Sequence, residues 1–243
     1  MTTMDIVIIT GASKGIGFEM MKQLKGKGKK TIGIARTNQS EEDSFITADL
    51  SKIDELPSVM DKVISKYGKI ASSFTLVNNA GMVDPIGLVG TIHPEGITNA
   101  LAVNLTAPMI LSNAFIGALT SFKGKKRIMN ISSGAGRNAY EGWGVYCTTK
   151  AGLDHFSRVV AKEQESAKHP VEIVSIAPGI IDTNMQETIR SSDAQSFPLL
   201  DRFIDYKEKG QLSSAEETAS KLISFLERED FKELGPIADI RNV

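Results

Sequence analysis

Seven short apolar segments are spaced along the chain, and each has the length of a β-strand. Their hydrophobicity is nearly continuous, as in the run Ile6–Ile9, instead of alternating between apolar and polar positions. Strands of this composition are typical of parallel sheets, in which helices cover both faces. The predicted strands are Asp5–Thr10, Lys30–Ala35, Ser44–Ala48, Phe74–Asn78, Arg127–Ser132, Val171–Ala177 and Pro236–Ile240.

Helical patterns lie between these segments, with apolar residues recurring at spacings of three and four, as in Ile53–Tyr67 and Leu153–Val160. Alternating strands and helices predict an α/β fold, namely a Rossmann-type, doubly wound parallel sheet of about seven strands. No linker-like segment interrupts the pattern, so residues 1–243 are predicted to form a single domain. Only about eight residues separate the second and third strands, so we expect a tight and irregular connection there.

The composition narrows the possible functions. The 28 lysines and arginines nearly balance the 29 aspartates and glutamates, which gives no electrostatic reason to expect a nucleic acid or an anionic membrane as a partner. Cys147 is the single cysteine, which favours a reducing compartment, and we expect a cytoplasmic protein. The histidines at positions 93, 155 and 169 lack the spacing of metal ligands, so no metal site is predicted.

A glycine-rich turn follows the first strand and precedes a helical segment. Glycines allow a backbone to approach a pyrophosphate closely, and the N-terminus of the following helix offers free N–H groups and the positive end of a dipole. Glycine clusters also mark ordinary structural turns, but the flanking strand and helix favour a dinucleotide site. The predicted cofactor-binding residues of this turn are Gly11, Ser13, Lys14, Gly15, Ile16 and Gly17.

The charges after the second strand indicate which dinucleotide is bound. A site for NAD usually places an Asp or Glu there to hold the ribose 2′-hydroxyl. Here the strand is followed by Arg36, and the next acidic residue is Glu41. Arg36 and Lys14 suit a 2′-phosphate, because a guanidinium presents a planar fork of donors. Arginines and lysines are common on any surface, but the missing acid favours NADPH as the cofactor.

Three residues in the middle of the chain suit proton transfer to a carbonyl oxygen. Tyr146 and Lys150 stand four residues apart, on one face of a helix, and Ser133 follows the fifth strand. We expect the Lys150 ammonium to lower the pKa of Tyr146 by favouring the phenolate. Ser133 would hold a substrate carbonyl against the Tyr146 hydroxyl, which would act as a general acid. A Tyr and a Lys at this spacing also occur by chance, but Ser133 and the glycine turn favour catalysis.

These residues and their order resemble the short-chain dehydrogenase/reductase family over essentially the whole chain. The resemblance implies that Ser133, Tyr146 and Lys150 form the catalytic triad, and that Asn104 holds a proton-relay water. It also implies that Tyr146 and Lys150 contact the cofactor, with Lys150 at the nicotinamide ribose. The other implied cofactor contacts are Asp49 and Leu50 at the adenine, Asn79, Ala80 and Gly81 after the fourth strand, and Pro178, Gly179 and Thr183 at the nicotinamide carboxamide.

Within the family, the stretches Gly142–Cys147 and Ala177–Gln186 and the segment from Lys207 to Glu227 resemble sepiapterin reductases and bacterial benzil reductases. The implied activity is NADPH-dependent reduction of an aromatic or heteroaromatic dicarbonyl-type substrate, either a benzil-like 1,2-diketone or sepiapterin. Asp239 matches the acidic residue that holds a pterin ring, although a polar residue there is often simply solvated. The implied substrate residues are Ser133, Tyr146, Trp143, Met185 and Asp239, with Tyr140, Leu199 and Leu200 as further wall candidates.

Residues 183–213 are predicted to form a substrate lid, because this stretch is long, polar and without a strand pattern. The resemblance also implies a homodimer or homotetramer, paired through the helices that carry Asn104 and Tyr146. Two alternative functions remain. One is another short-chain reductase, of the 3-oxoacyl-carrier-protein or hydroxysteroid type. The other is a non-catalytic NADP-sensing protein, which would keep the glycine turn without needing Ser133, Tyr146 and Lys150.

Overall fold

A computed structural model describes residues 3–37 and 44–242 of the chain. The strands in these residues are β1 (Met4–Thr10), β2 (Lys30–Ala35), β3 (Phe45–Thr47), β4 (Ala71–Asn78), β5 (Lys125–Ile131), β6 (Glu172–Ala177) and β7 (Ile237–Asp239). The α-helices are α1 (Gly15–Gly26), α2 (Leu56–Tyr67), α3 (Pro94–Leu101), α4 (Ala107–Ala118), α5 (Gly144–Gln164), α6 (Asn184–Arg190), α7 (Leu200–Glu208) and α8 (Ala215–Leu226). Short 3-10 turns occupy Ile53–Glu55 and Gly134–Gly136, and the π-helical turn Ala102–Thr106 joins α3 to α4.

The strands form one parallel sheet in the order β3-β2-β1-β4-β5-β6-β7. The chain runs outward to one edge from β1 to β3 and then to the other edge from β4 to β7. The strand order therefore reverses between β1 and β4. Such a reversal leaves a crevice at the carboxyl ends of these two strands, and open α/β sheets bind their ligands there. The predicted single-domain, Rossmann-type fold is confirmed.

The central strand β1 shows why the apolar runs are continuous. Ile6 and Ile8 pack with α2 and α4 on one face of the sheet, whereas Val7 and Ile9 pack with α1 and α8 on the other. Successive side chains of a strand point to opposite faces, so a strand covered on both sides needs apolar residues at every position. The sheet thus separates two hydrophobic cores and shares each buried strand between them.

All seven predicted strands are present, with ends that differ from the prediction by up to three residues. β4 begins three residues early, because its polar start has partners in the sheet. The hydroxyls of Ser72 and Ser73 donate to Oδ1 of Asp5 on β1, at 2.8 and 2.6 Å. The predicted tight connection between β2 and β3 falls largely on residues 38–43, outside the described residues.

The helical segment Pro94–Ala118 is apolar and long enough, by these two properties alone, to cross a membrane, and 39% of its most apolar window is buried inside the protein. Core helices of soluble proteins meet the same measure, so the finding is weak support for a membrane span. Here α4 packs against α2, α5 and β4 and buries Leu111 and Phe115. The segment also carries Asn104, and it therefore contributes to the site.

Candidate active site

The glycine turn after β1 is packed too closely for a side chain at two of its glycines. A Cβ at Gly17 would lie 2.5 Å from the carbonyl oxygen of Gly11, and a Cβ at Gly11 would lie 2.8 Å from the Cα of Ala80. Gly11 and Gly15 also have positive φ angles, of 66° and 56°, which other residues rarely adopt. The backbone of the turn therefore requires glycine at three positions.

The segment after β4 supports this turn. The Asn79 side-chain amide donates to the carbonyl oxygens of Thr10 and Gly11, at 2.9 and 3.3 Å. The backbone N–H groups of Asn79 and Ala80 both donate to the Thr10 hydroxyl, at 3.0 Å. The predicted cofactor segment Asn79–Gly81 thus lies beside the glycine turn, and the Asn79 side chain is used to hold that turn in shape.

The segment after β6 reaches the glycine turn from the other side of the crevice. The Thr183 Cγ2 atom lies 3.6 Å from the position that a Cβ of Gly15 would take. Pro178 is buried at the end of β6, and Gly179 turns the chain with a φ angle of 87°. Of the predicted nicotinamide-side residues, Thr183 is therefore placed against the predicted phosphate-binding turn, and Pro178 and Gly179 lie between it and β6.

The predicted adenosine-end residues come together at the ends of β2 and β3. Hydrogen bonds from the backbone and the hydroxyl of Ser51 lower the pKa of Asp49, and the charge of Arg36 adds to this effect. Arg36 is exposed, and Leu50 is buried beside Asp49. The guanidinium therefore lies near the carboxylate that the resemblance assigns to the adenine contact.

An open cleft of about 660 Å³ extends from the glycine turn toward the predicted lid. Lys14 lines it, together with Asp84 and Ile86 from the loop after β4. The opposite wall is α6 and the residues after it, including Asn184, Glu187, Thr188, Ser191 and Asp193. Ser13 and Ile16, the remaining predicted residues of the turn, are half-buried beside exposed Lys14.

Asn104 lies in the π-helical turn between α3 and α4, and both ends of its amide are bound. Its Oδ1 accepts from the backbone N–H of Met82 at 2.9 Å, and its Nδ2 donates to the Met82 carbonyl at 2.8 Å and to the Thr149 hydroxyl at 3.3 Å. Single π turns are frequent at functional sites. A Cβ at Gly81 would lie 3.5 Å from Asn104 Oδ1 and 3.6 Å from Lys150 Nζ, so both side chains border the same small space.

The Ser133 turn packs directly on α5, the helix that carries the other two predicted catalytic residues. The Ser133 hydroxyl accepts from the backbone N–H of Ala135 at 3.1 Å. A Cβ at Gly136 would lie 2.8 Å from the carbonyl carbon of Lys150, so a glycine is needed for this contact. The contact brings the Ser133 hydroxyl into a hydrogen bond with Tyr146.

Burial sets the protonation of Tyr146 and Lys150. It raises the pKa of Tyr146 to about 12, and the hydrogen bond with Ser133 only partly opposes this. Burial also lowers the pKa of Lys150 to about 8, against the opposing charge of Asp154. The Lys150 Nζ donates to the Ile131 carbonyl at 2.8 Å and lies 5.7 Å from the Tyr146 ring centroid. The expected lowering of the Tyr146 pKa is therefore wrong for this arrangement, because desolvation raises that pKa and leaves a protonated phenol.

A group of aromatic rings, which we name the aromatic cluster, packs against Tyr146. Trp143 is at its centre and is stacked on Phe197, with 4.9 Å between ring centroids. Its indole also meets Tyr146, Phe203 and Tyr140 edge-on, at 5.4, 5.0 and 5.7 Å. The cluster is a buried apolar core next to the predicted proton donor.

The predicted lid, residues 183–213, contains α6 and α7 and contributes to the aromatic cluster. Phe197 and Phe203 of this stretch are buried in the cluster, although its polar composition gave no sign of that. The chain enters and leaves the stretch through a parallel bridge between Ile181 and Ser213. The predicted wall residues that pack against the cluster are Met185, Leu199 and Leu200.

Asp239 ends β7, and its carboxylate is already paired. Oδ1 accepts from the backbone N–H and the Nε of Arg241, at 3.0 and 2.8 Å, and Oδ2 accepts from Nη2 at 2.6 Å. The side-chain hydrogen bonds of Arg241 lower the pKa of Asp239. The guanidinium also lies near the phenol rings of Tyr140 and Tyr206. The predicted substrate anchor is therefore bound to an arginine two residues away.

A buried carboxylate that the sequence pattern did not single out lies next to the predicted catalytic pair Tyr146 and Lys150. Asp154 accepts from the Ser175 hydroxyl at 2.7 Å and from the Arg137 Nε at 3.1 Å. A signal was available, because an acid four residues after Lys150 shares its helix face. In the part of the chain that the structure describes, no three His, Cys, Asp or Glu side chains group as potential metal ligands.

The sequence profile of the short chain dehydrogenase family matches residues 5–194, a range that includes the glycine turn, Asn104, Ser133, Tyr146 and Lys150. The chain belongs to this family. It is therefore an oxidoreductase of a kind that uses a nicotinamide cofactor, as the order of its motifs predicted.

Two groups of relatives match nearly the whole chain. A benzil reductase ((S)-benzoin forming) of Bacillus cereus is 40% identical, and the match covers 94% of this chain and 96% of the relative. Another, of Bacillus subtilis, is 39% identical over 98% of this chain and 99% of the relative. A sepiapterin reductase of Meriones unguiculatus is 29% identical over 93% of each chain. The predicted resemblance to benzil and sepiapterin reductases is confirmed.

Solved structures agree with this assignment. The KRED1-Pglu enzyme has a TM-score of 0.83 and 26% sequence identity, with 96% of this chain and 99% of that chain covered. A 3-ketoacyl-(acyl-carrier-protein) reductase from Brucella melitensis, complexed with NADH, has a TM-score of 0.76 and 23% identity, covering 98% of this chain and 96% of that chain. The second likeness shows the shared fold alone.

Proposed function

We propose that this carbonyl reductase uses NADPH to reduce one carbonyl of an aromatic 1,2-diketone, such as benzil, to the hydroxyketone. The proposal rests chiefly on the aromatic cluster, in which the Trp143 ring lies edge-on to Tyr146 at 5.4 Å and is stacked on Phe197. Aromatic pairs in stacked or edge-on arrangements are favoured beyond the area they bury. The cluster would therefore support an apolar wall for an aryl group beside the proton donor, with the partly buried Met185 and Tyr140 at its edge.

The residues of the glycine turn fit a dinucleotide cofactor. Because Gly11 and Gly17 have no Cβ, the turn stays compact, and the N-terminus of α1 points its free N–H groups toward a pyrophosphate. Exposed Arg36 and Lys14 are both available to a 2′-phosphate, which favours NADPH over NADH. When bound, the nicotinamide supplies the hydride.

Tyr146 and the side chains around it would supply the proton, bind the carbonyl oxygen and stabilise the charge that develops. Tyr146 keeps its proton at neutral pH and donates it from Oη to the carbonyl oxygen as that oxygen becomes an alkoxide. Ser133, hydrogen-bonded to Tyr146, would hold the same oxygen. The Lys150 ammonium would stabilise the phenolate that remains, because an opposite charge nearby favours the charged form. Asn104 borders the space beside Lys150 in which a proton-relay water would be held.

The ion pair of Asp239 distinguishes the two substrate classes. A pterin anchor needs a free carboxylate to accept from the adjacent N–H donors of an aminopyrimidinone. Here both oxygens of Asp239 already accept from Arg241. A diketone has no N–H donor and does not need this carboxylate as an acceptor. The ion pair of Asp239 with Arg241 therefore favours benzil over sepiapterin as the substrate. Sepiapterin remains the second candidate, supported by the 29% identity to a sepiapterin reductase.

The test is the oxidation of NADPH, followed by absorbance, with benzil, sepiapterin, a 3-ketoacyl thioester and a 3-ketosteroid as substrates. We expect the highest kcat/KM for benzil and a much lower rate when NADH replaces NADPH. Turnover of the thioester or the steroid alone would assign another reductase activity to the same scaffold. Tight NADPH binding without turnover of any carbonyl would favour the sensing protein.

We also propose that the chain forms a homodimer or homotetramer through α4 and α5. Met109 on α4 and Val159 on α5 are large apolar residues with 39% and 42% of their surface exposed in the single chain. Light scattering after size-exclusion chromatography measures the mass directly. The wild type should be at least dimeric, and the double variant Met109→Lys, Val159→Lys should dissociate. A monomeric wild type would contradict the proposal.

A further inference from the structure

Asp154 is a buried carboxylate on the helix face that carries the catalytic pair. Tyr146, Lys150 and Asp154 follow one another at intervals of four residues along α5. Only 3% of the Asp154 side chain is exposed. Its Oδ1 accepts from the Ser175 hydroxyl on β6 at 2.7 Å, and its Oδ2 accepts from the Arg137 Nε at 3.1 Å. Both oxygens are paired, as a carboxylate this deeply buried requires.

Arg137 connects this carboxylate to the Ser133 turn. It directly follows the 3-10 turn Gly134–Gly136, which touches the backbone of Lys150. The Arg137 Nη2 donates to the carbonyl of Ala238 on β7 at 2.8 Å. The ion pair of Arg137 with Asp154 therefore links the turn that follows Ser133, which we call the serine turn, to α5. Asp154 is also hydrogen-bonded to β6, and Arg137 is also hydrogen-bonded to β7.

We propose that Asp154 is a positioning residue for the carbonyl reduction: it holds the Ser133 turn against α5 through Arg137, and it keeps Lys150 charged. The inference rests on the proposed function, because Ser133 and Lys150 act on a carbonyl only in that reaction. Burial favours the neutral amine of Lys150, and the negative charge of Asp154 opposes this. Without the charge of Asp154, Lys150 would lose its proton at a lower pH. The Tyr146 phenolate that remains after proton donation would then lack a neighbouring cation over a wider pH range.

Other charges lie near this pair, and they alternate in sign. The Arg137 guanidinium pairs with Asp154, so we expect it to weaken the effect of Asp154 on Lys150, and Asp239 in turn lies near Arg137. Arg137 after the serine turn pairs with Asp154, and Tyr146 on α5 lies beside Lys150. Asp239 at β7, which is paired with Arg241, is the charged group near Arg137. Ser175 on β6 and Asn104 in the π turn are uncharged neighbours.

Asp154→Asn tests the charge, because it keeps the shape and removes the carboxylate. Ser175→Ala is the matched control, since it removes a hydrogen bond to the same carboxylate and keeps the charge. The readouts are kcat/KM for benzil against pH at saturating NADPH, and the thermal midpoint of each variant. Lys150 is charged below its pKa and neutral above it, so the alkaline limb of the profile follows this group.

We expect the alkaline limb of Asp154→Asn to move to lower pH by about one unit, which would reduce activity near pH 8 roughly fivefold. The limb of Ser175→Ala should not move, although both variants should have a lower thermal midpoint. An unmoved limb in a folded Asp154→Asn variant would make Asp154 merely structural and overturn the proposal. If that variant does not fold, Arg137→Gln serves instead, and its limb should move to higher pH while kcat falls. If the alkaline limb and the kcat of Arg137→Gln were both the same as in the wild type, the proposal would also be overturned.

A second measurement separates this inference from the proposed function. The titration of Lys150 in the protein without cofactor can be followed by NMR of ¹³Cε-labelled lysine, with the signal assigned by Lys150→Met. The pKa should be about 8 in the wild type, and it should be lower in Asp154→Asn. If no carbonyl is reduced but this difference is found, the proposed function fails and the effect of Asp154 on Lys150 stands. Equal pKa values in the two proteins would overturn the inference whatever the activity.

Discussion

The cofactor crevice and the aromatic cluster adjoin each other, yet they are built by different means. The crevice is shaped by backbone, because a Cβ at Gly11 or Gly17 would lie within 2.8 Å of main-chain atoms. The cluster is built by side chains from separate segments, namely Trp143 before α5 and Phe197 and Phe203 from the predicted lid. A backbone constraint admits one residue type, whereas a ring in a cluster can be exchanged for another apolar group. We therefore expect cofactor binding to be constrained by the fold and the choice of substrate to be adjustable.

The largest expected effect comes from Tyr146→Phe, which removes the proposed proton donor and keeps its ring in the aromatic cluster. General acid catalysis contributes typically about 10²–10⁴-fold, so kcat should fall by that factor while NADPH affinity stays nearly unchanged. Steady-state kinetics and cofactor titration measure the two quantities. Tyr140→Phe is the matched control within the same cluster and should keep most of the activity. If Tyr146→Phe retained more than about a tenth of the wild-type kcat, the proton-donor role would be wrong.

Arg36→Ala tests whether the cofactor side distinguishes the two dinucleotides. A hydrogen bond to a charged group contributes about 1.5–3 kcal/mol, so NADPH affinity should fall roughly ten- to a hundredfold. NADH lacks the 2′-phosphate, and its affinity should hardly change. Fluorescence titration with both cofactors provides the comparison within one variant. Equal losses for NADPH and NADH would make Arg36 a structural residue.

Gly17→Ala tests the backbone constraint, with Gly26→Ala as its control in the same helix. The new methyl at position 17 would lie 2.5 Å from the Gly11 oxygen, whereas a methyl at position 26 would have no neighbour within 4 Å. Overpacking typically costs about 1–3 kcal/mol, so Gly17→Ala should lower the free energy of unfolding and weaken NADPH binding. Gly26→Ala should be neutral or stabilising. Thermal unfolding without cofactor measures this, and similar results for both variants would contradict the close packing.

The smallest expected effects concern Asp239 and Arg241 on the substrate side. Asp239→Ala should leave the KM for benzil nearly unchanged, because benzil has no donor for a carboxylate. Arg241→Ala should free the Asp239 carboxylate and lower the KM for sepiapterin several-fold without changing that for benzil. Steady-state kinetics with both substrates check this. A parallel response of the two substrates to both variants would show that the ion pair supports the fold and does not select a substrate.

The fold was predictable because buried parallel strands leave continuous apolar runs. β1 illustrates this, since Ile6 to Ile9 serve both cores. The ends of β4 were less predictable, because Ser72 and Ser73 depend on Asp5, a residue of another strand. The local sequence pattern indicates which residues a strand buries, but it does not indicate polar partners on another strand that extend the strand.

In the site, too, the features that follow from local sequence were predictable, and those that depend on contacts between separate segments were not. The order of the glycine turn, Ser133, Tyr146 and Lys150 pointed to the family that the comparison established. The raised pKa of Tyr146 could not be predicted, because it depends on how completely the fold excludes water from the ring. The partnership of Asp154 with Arg137 was equally hidden, since it joins a helix to a turn that lies 17 residues earlier.

The hydrogen bond from Arg137 to Ala238 joins residues that lie 101 positions apart, across the end of the sheet that is made last. A ribosome adds about 5–20 residues per second, so Arg137 is synthesised roughly five to twenty seconds before its partner. For most of that interval, once residue 150 has been added, the nascent chain holds Ser133, Tyr146 and Lys150 but lacks the strand that Arg137 binds. The support that β7 gives to the serine turn is therefore completed late in translation, and truncated products that end before β7 should carry the predicted active-site residues without it.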